Sequence, residues 1–237
     1  WVWLGEAIGV DELIYYMFSD RHRQKPDPDR RYDRIYIGGD YGQQNATTFE
    51  AFGLDTYRKK FPGLGEYYHS GRESGRQKSP SEYARDLVEF MDGLHEQYEN
   101  RIFYIFLDPS AKGLAEEVRR ATRTGLDYQV FLRDAENDVA LGISRVQKAL
   151  VFDIMSISPK QEYAVQEFGT YEYDKKSIEK GKEVPVKEAD HCMDAIRYVV
   201  MGAWSNIKHW LPLDIVEDDV NIGDIGSREV REEDEYL

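Results

Sequence analysis

Residues Ile102-Phe103-Tyr104-Ile105-Phe106-Leu107 form an almost unbroken apolar run that stops at Asp108. A run of this kind is the mark of a strand buried on both faces, and such a strand belongs in a sheet with helices on either side. The chain of 237 residues is long enough for one large domain with appendages and an ample core. There is no twenty-residue apolar run and no signal-peptide pattern, which suits a soluble intracellular protein. The one cysteine, Cys192, has no internal partner for a disulfide.

Periodicity and punctuation place the other elements around that run. Residues 34–40 read as a short buried strand that also ends in an acid, Asp40. Residues 46–53 follow after a turn short enough for an antiparallel hairpin. A third strand around 65–70 continues the meander, and the loop 71–79 after it is locally basic and expected to be mobile. Ser79-Pro80-Ser81-Glu82 opens a helix whose apolar residues Tyr83, Leu87, Phe90, Met91 and Leu94 recur at helical spacing to about Tyr98. Beyond Asp108, a helix over 111–122 and a strand over 128–131 complete a crossover. A helix over 138–150, an extended piece over 152–157 and a helix over 159–168 come next. Residues 171–186, strand-like at both ends with a charged middle, read as a surface β-hairpin leading into the last helix. The expected fold is α/β: a mixed sheet of three antiparallel strands plus parallel strands, flanked by helices, with a β-hairpin before the last helix.

The domain organisation follows from composition. Residues 1–31 begin abruptly with Trp1-Val2-Trp3-Leu4 and pass into a charged, proline-containing stretch, so they read as a remnant of something upstream and a linker. Residues 32–205 are the domain, and residues 206–237 an acidic tail. The formal charge of −14 is uneven: residues 214–237 carry ten acids against Arg228 and Arg231, a net of −8, which leaves −6 for the rest. The bulk charge neither excludes nucleic acid nor supports binding to it.

The start of the last helix, Glu188-Ala189-Asp190-His191-Cys192-Met193-Asp194-Ala195-Ile196-Arg197-Tyr198, stacks Asp190, His191 and Asp194 on one side. If the strands 34–40 and 102–107 are neighbours, Asp40 and Asp108 end side by side, and a helix across that edge brings Asp194 to them. Three carboxylates that close repel one another unless divalent cations sit among them, and hard oxygen ligands select magnesium or manganese over zinc. Such a site suits two-metal phosphodiester hydrolysis, with Asp40 bridging both ions and Asp108 and Asp194 each holding one. His191 can orient a water, supplement a metal shell or touch a phosphate. Taken singly, Asp40 is also a turn former and Asp108 a helix cap; Asp190 reads as the N-cap of the last helix, and Cys192 as packing.

Five pieces in order carry a family resemblance: Tyr36-Ile37-Gly38-Gly39-Asp40-Tyr41-Gly42, Gly65-Glu66-Tyr67-Tyr68-His69-Ser70-Gly71-Arg72-Glu73, Leu107-Asp108-Pro109-Ser110-Ala111, Ile143-Ser144-Arg145-Val146-Gln147 and Lys187-Glu188 through Tyr198. Together they resemble the nuclease domain of tailed-phage terminase large subunits, of the SPP1 type, over residues 32–205. The resemblance implies an RNase H-like fold and a metal-dependent endonuclease that cuts double-stranded concatemeric viral DNA during packaging. It implies Asp40, Asp108 and Asp194 as the acidic triad with His191 beside it, and two divalent cations, Mn2+ or Mg2+, as cofactors. It further implies an upstream ATPase domain, whose end the opening Trp3-Leu4-Gly5-Glu6 resembles, a terminase small subunit and portal protein as partners, no membrane, and the host cytoplasm as location. The hairpin 171–186 matches a family element that controls access of DNA. The chain departs from the family at Gly39, where an apolar residue such as valine is frequent, and in its long acidic tail.

Lys175, Lys176, Lys180 and Lys182 on the hairpin are the expected DNA contacts, with Arg72, Arg76 and Lys78 as further candidates after the third strand; such contacts weaken as salt rises. Arg145 and Gln147 face either DNA or solvent. His69, His95 and His209 are expected to be structural. No G-x-x-x-x-G-K-[ST] loop occurs. Residues 37–42 followed by Thr47-Thr48 also resemble the first phosphate loop of sugar kinases and actin-like ATPases, which gives a nucleotide-binding alternative. A non-catalytic portal-docking module is a third reading.

Overall fold

The apolar run Ile102–Leu107 lies second from one edge of a six-stranded sheet, between two parallel neighbours, where both of its faces can be covered. The computed structural model describes residues 13–42, 45–213 and 215. Its strands are β1 (Arg34–Tyr41), β2 (Ala46–Leu54), β3 (Phe61–Ser70), β4 (Ile102–Leu107), β5 (Gln129–Asp134) and β6 (Met155–Ser156), in the order β5-β4-β1-β2-β3-β6. The first three form an antiparallel meander, while β4 runs parallel to β1, β5 to β4 and β6 to β3. In the β1–β4 ladder Gly39 stands opposite Leu107, so Asp40 and Asp108 are the next residue on each strand.

Seven α-helices are formed among the described residues: α1 (Gly71–Ser74), α2 (Pro80–Tyr98), α3 (Lys112–Ala121), α4 (Val139–Val151), α5 (Glu162–Phe168), α6 (Lys175–Ile178) and α7 (His191–Ile207). Helix α2 starts where the sequence signals it, with Ser79 and Glu82 in a reciprocal capping box and Pro80 in the first turn. Its buried stripe, Leu87 and Met91, packs with Leu114 and Val118 of α3 on one face of the sheet, against Ile35, Ile37, Phe103 and Ile105. Each such side chain contributes about 1.5–3 kcal/mol by leaving water. The opposite face is covered by α7, with α4 and α5 beyond it; Ile196, Val199 and Val200 pack with Tyr36, Phe52 and Val146. Among the described residues no helix is long and apolar enough to cross a membrane.

The segment read as remnant and linker packs into this body from Leu13 onwards. Ile14 and Tyr15 are buried, the Ile14 amide donates to the Tyr171 carbonyl at 3.0 Å, and Phe168 meets Tyr15 edge-on and stacks with Phe18. Residues 20–22 form a 3-10 turn whose His22 is buried beside the Leu150 carbonyl, and Arg23 bridges to Ile157. Most of the charges that suggested a linker are exposed, on a segment whose Ile14, Tyr15 and His22 are buried. Residues 1–12, including Trp3-Leu4-Gly5-Glu6, Gln43 and Gln44 of the turn after β1, and most of the acidic tail (Asp214 and residues 216–237) lie outside the described residues. The last helix runs to Ile207, two residues past the expected domain boundary, and a 3-10 turn Lys208–Trp210 follows it.

The hairpin over 171–186 has the expected paired ends, with Tyr173 bridged to Pro185 and the Asp174 amide donating to the Val184 carbonyl at 2.8 Å. Its middle is not extended. Asp174 caps the short helix α6 by accepting from the Ser177 amide, and Gly181, at φ 70°, turns the chain back. Part of the loop 71–79 is likewise helical, as α1, capped by Ser70.

Candidate metal centre

Asp40 ends β1 and Asp108 follows β4, so two parallel neighbours deliver two carboxylates to one sheet edge. Helix α7 crosses that edge because β1 carries a glycine under it: a Cβ at Gly38 would stand 2.0 Å from the Ala195 carbonyl oxygen. This close approach brings His191 and Asp194 over the strand ends. The His191 Nδ1 and Asp40 Oδ2 atoms share a hydrogen bond of 2.8 Å. Asp194 Oδ1 accepts from Arg197 Nη2 at 2.6 Å, and its Oδ2 faces the Lys187 ammonium at 3.5 Å. Asp108 Oδ2 accepts from the Tyr198 hydroxyl at 2.9 Å and from Asn137 Nδ2 at 3.0 Å, while Oδ1 accepts from the Ser110 amide at 2.7 Å.

Asp40 and Asp108 are held in different electrostatic states. Burial pushes the Asp40 carboxyl up, against the pull of His191, and neighbouring Asp194 and Asp190 push the same way. The hydrogen bond to Asp40 raises His191 in turn. Burial also acts to raise Asp108, but hydrogen bonds from Ser110 and Tyr198 and the charge of Arg197 outweigh it and leave that carboxyl below its ordinary value. The donor set is three carboxylates and an imidazole, and Asp190 beside them has a buried Oδ2 without a hydrogen-bond partner. An oxygen-rich set with an orphaned carboxylate oxygen fits a hard divalent cation better than zinc.

Asp190 occupies the N-cap position, as expected, but its side chain makes no capping bond. Glu167 of α5 does that work from a distance: its Oε2 accepts from the Cys192 amide at 2.8 Å and the Met193 amide at 3.1 Å. Burial pushes its carboxyl up to about 8. No local signal in the sequence marks Glu167, because the helix end it serves begins more than twenty residues later. Asn137 was missed for a similar reason; its Oδ1 lies 3.5 Å from Arg197 Nη1, and its amide reaches Asp108, so it ties the last helix to the end of β4, whereas the pairing of Arg197 with Asp194 three residues earlier was within reach of helical spacing.

Glu50, Glu66 and Cys192 are the described side chains whose ligand atoms all lie within 4.8 Å of one another. Their oxygens are already committed. Glu50 accepts from Thr48 and Gln161, at 3.2 and 2.8 Å, and Glu66 accepts from the Tyr163 and Ala164 amides at the start of α5. Burial raises Glu50 well above the ordinary carboxyl range, and the hydrogen bonds of this group tie β2 and β3 to α5. Cys192 is buried there with its sulfur 3.7 Å from the Thr48 hydroxyl, a packing role. Thr47 and Thr48 spend their hydroxyls on Gly42 and Glu50, so the second half of the phosphate-loop resemblance has no hydroxyl to offer a nucleotide.

Lys175, Lys176, Lys180 and Lys182 are all exposed on the arm that precedes α7. Arg72 is exposed on α1, but Arg76 pairs with Glu82, and Lys78 is half-buried between Asp86, at 2.7 Å, and Tyr67. Lys78 is therefore a structural contact. Gln147 faces inward and donates to the Ile14 carbonyl at 2.7 Å, and the Arg145 guanidinium lies over Trp204. His69 bonds the Tyr83 hydroxyl and His95 the Asn100 carbonyl.

No family model and no curated protein matches the chain. Solved structures do. The large terminase of the thermophilic bacteriophage D6E, in complex with ATP-γ-S, is 33% identical over 80% of this chain and 45% of its own, with a TM-score of 0.69. The P22 large terminase nuclease domain is 16% identical over 81% of this chain and 92% of its own, with a TM-score of 0.59. The large terminase nuclease of the thermophilic phage G20c, with bound cobalt, is 16% identical over 80% and 96%, with a TM-score of 0.53. The chain thus spans less than half the length of the D6E protein, and nearly all of the two nuclease domains. These likenesses establish a mixed-sheet, RNase H-like fold of the large-terminase nuclease type.

Proposed function

We propose that this chain, which has the large-terminase nuclease fold, is a metal-dependent endonuclease that cleaves double-stranded DNA in viral genome packaging. The observation that carries the reading is the register of β1 and β4, which puts Asp40 beside the residue that follows β4, Asp108, together with the packing on β1 of α7, whose first turn carries Asp194. Asp40, Asp108 and Asp194 would hold two ions, Mn2+ or Mg2+, which supply an activated water and charge to stabilise the leaving oxygen. His191, hydrogen-bonded to Asp40 at 2.8 Å, orients that carboxylate. Arg197 and Asn137 fix the directions of Asp194 and Asp108, and Tyr198 completes the shell of Asp108. The exposed lysines of the arm follow the phosphate backbone without reading bases, which matches weak sequence preference. In the same reading the chain works in the host cytoplasm, joined to an ATPase domain and meeting the terminase small subunit and portal protein.

Conversion of supercoiled plasmid to nicked and linear forms, in manganese and in EDTA, tests this. The expected outcome is cutting in manganese alone, reduced by Asp40→Asn to the EDTA background. Equal cutting by wild type and Asp40→Asn would overturn the reading.

A further inference from the structure

The two oxygens of Asp194 are served by two cations of opposite mobility. Arg197, on Oδ1 at 2.6 Å, is 1% exposed. Its aliphatic stem fills the space that Gly142 leaves by lacking a Cβ, and its guanidinium lies over the Tyr198 ring at 5.2 Å. It cannot leave without unpacking α4 from α7. Lys187, on Oδ2, is the contrary case. Its side chain is 61% exposed, and its ammonium stands 3.5 Å from Asp194 Oδ2 and 3.4 Å from Asp190 Oδ2, beyond good hydrogen-bond length.

We propose that Lys187 is an internal counter-ion at the metal-facing oxygen of Asp194, displaced when a divalent cation binds. The inference rests on the metal reading above. A divalent ion carries twice the charge and coordinates carboxylate oxygen directly, so it outcompetes a loosely held ammonium, while Arg197 stays and keeps the other oxygen oriented. Asp190, whose Oδ2 has no hydrogen bond, exchanges the same ammonium for the charge of the ion.

Position gives the exchange a second consequence. Lys187 stands at the root of the arm, after Lys180 and Lys182 and before Asp190. Once released, its ammonium joins the exposed lysines of the arm, where a DNA phosphate can take it. A phosphate that draws Lys187 away frees Asp194 for the ion, and an ion that expels Lys187 adds a charge for the phosphate. By linkage the two ligands bind cooperatively through this one side chain.

Mn2+ titrations of the metal-free chain, followed by calorimetry or the free-ion electron paramagnetic resonance signal, test the proposal with wild type, Lys187→Gln, Lys187→Arg and Asp40→Asn. Removal of an exposed competing cation is expected to tighten Mn2+ on the order of two- to fivefold in Lys187→Gln. Lys187→Arg stays near wild type. A short duplex should strengthen Mn2+ binding to wild type and lose that effect in Lys187→Gln. Unchanged or weaker Mn2+ binding by Lys187→Gln, with wild-type binding still sensitive to Asp40→Asn, overturns this inference alone. Wild-type binding no stronger than that of Asp40→Asn removes the metal reading and the inference with it.

Discussion

Glu167 shows how much one residue far from the reacting acids contributes to their placement. Its carboxyl oxygen receives the first free amides of α7, so the helix that carries His191 and Asp194 is anchored at its start by α5. The folded protein raises this carboxyl from an ordinary 4.5 to about 8, through burial first. Between those values the native state keeps a proton that the unfolded chain releases, so the contribution to stability is full below about 4.5 and is lost as the pH rises through 8. Glu167→Gln keeps the accepting oxygen without the titration. Thermal unfolding between pH 5 and 8 should therefore fall less steeply with pH in Glu167→Gln than in wild type. Parallel curves would show that the proton is held elsewhere.

Helix α7 and strand β1 form the element pair on which the site depends, and Gly38 sets their separation. Any Cβ there meets the Ala195 carbonyl at 2.0 Å and Val199 Cγ2 at 2.8 Å, and a backbone carbonyl cannot turn aside as a side-chain end can. Gly38→Ala is expected to cost about 1–3 kcal/mol of stability by overpacking. It should also weaken Mn2+ binding, since Asp194 lies one residue before the displaced carbonyl. Chemical denaturation and the same Mn2+ titration read the two effects. A variant with unchanged Mn2+ affinity would mean that α7 tolerates the shift without moving Asp194. Gly39, the position where the chain departs from the resembled family, faces the other side of the sheet, towards Leu107 and Phe49, so it bears on the α2–α3 layer instead.

At the scale of the molecule, the segment before β1 closes the second layer. Tyr15 packs edge-on to Phe168 and stacks on Tyr171, at ring separations of 5.2 and 5.8 Å, and joins the core containing α4, α5 and α7. Its buried hydroxyl has no hydrogen-bond partner. The ring and the hydroxyl therefore act in opposite directions. Tyr15→Ala is expected to cost about 3–5 kcal/mol, and Tyr15→Phe to leave the unfolding midpoint equal or slightly higher. A loss in Tyr15→Phe comparable to that in Tyr15→Ala would show that the hydroxyl is satisfied in solution.

Local patterns were sufficient for most of the architecture. The apolar run Ile102–Leu107, the serine-proline start of α2 and the helical spacing of Leu87, Met91 and Leu94 each report a preference that a few neighbouring residues decide. The packing of residues 13–18 was not legible, because apolar content beside a charged stretch does not say against what it packs. The arm's middle was marked in the sequence only as charged, and Asp174 accepting from the Ser177 amide makes a helical turn there. The sequence by itself determined the order of the elements, the acids that end β1 and β4, and the face of α7 that carries His191 and Asp194, since these depend on chain order and helical period. Only the tertiary structure decided which partner each acid meets: His191 for Asp40, buried Arg197 and exposed Lys187 for the two oxygens of Asp194, and Asn137 with Tyr198 for Asp108. Several of these partners stand scores of residues apart in the chain. Their pairing is set by packing distances such as the one at Gly38, which no local pattern encodes.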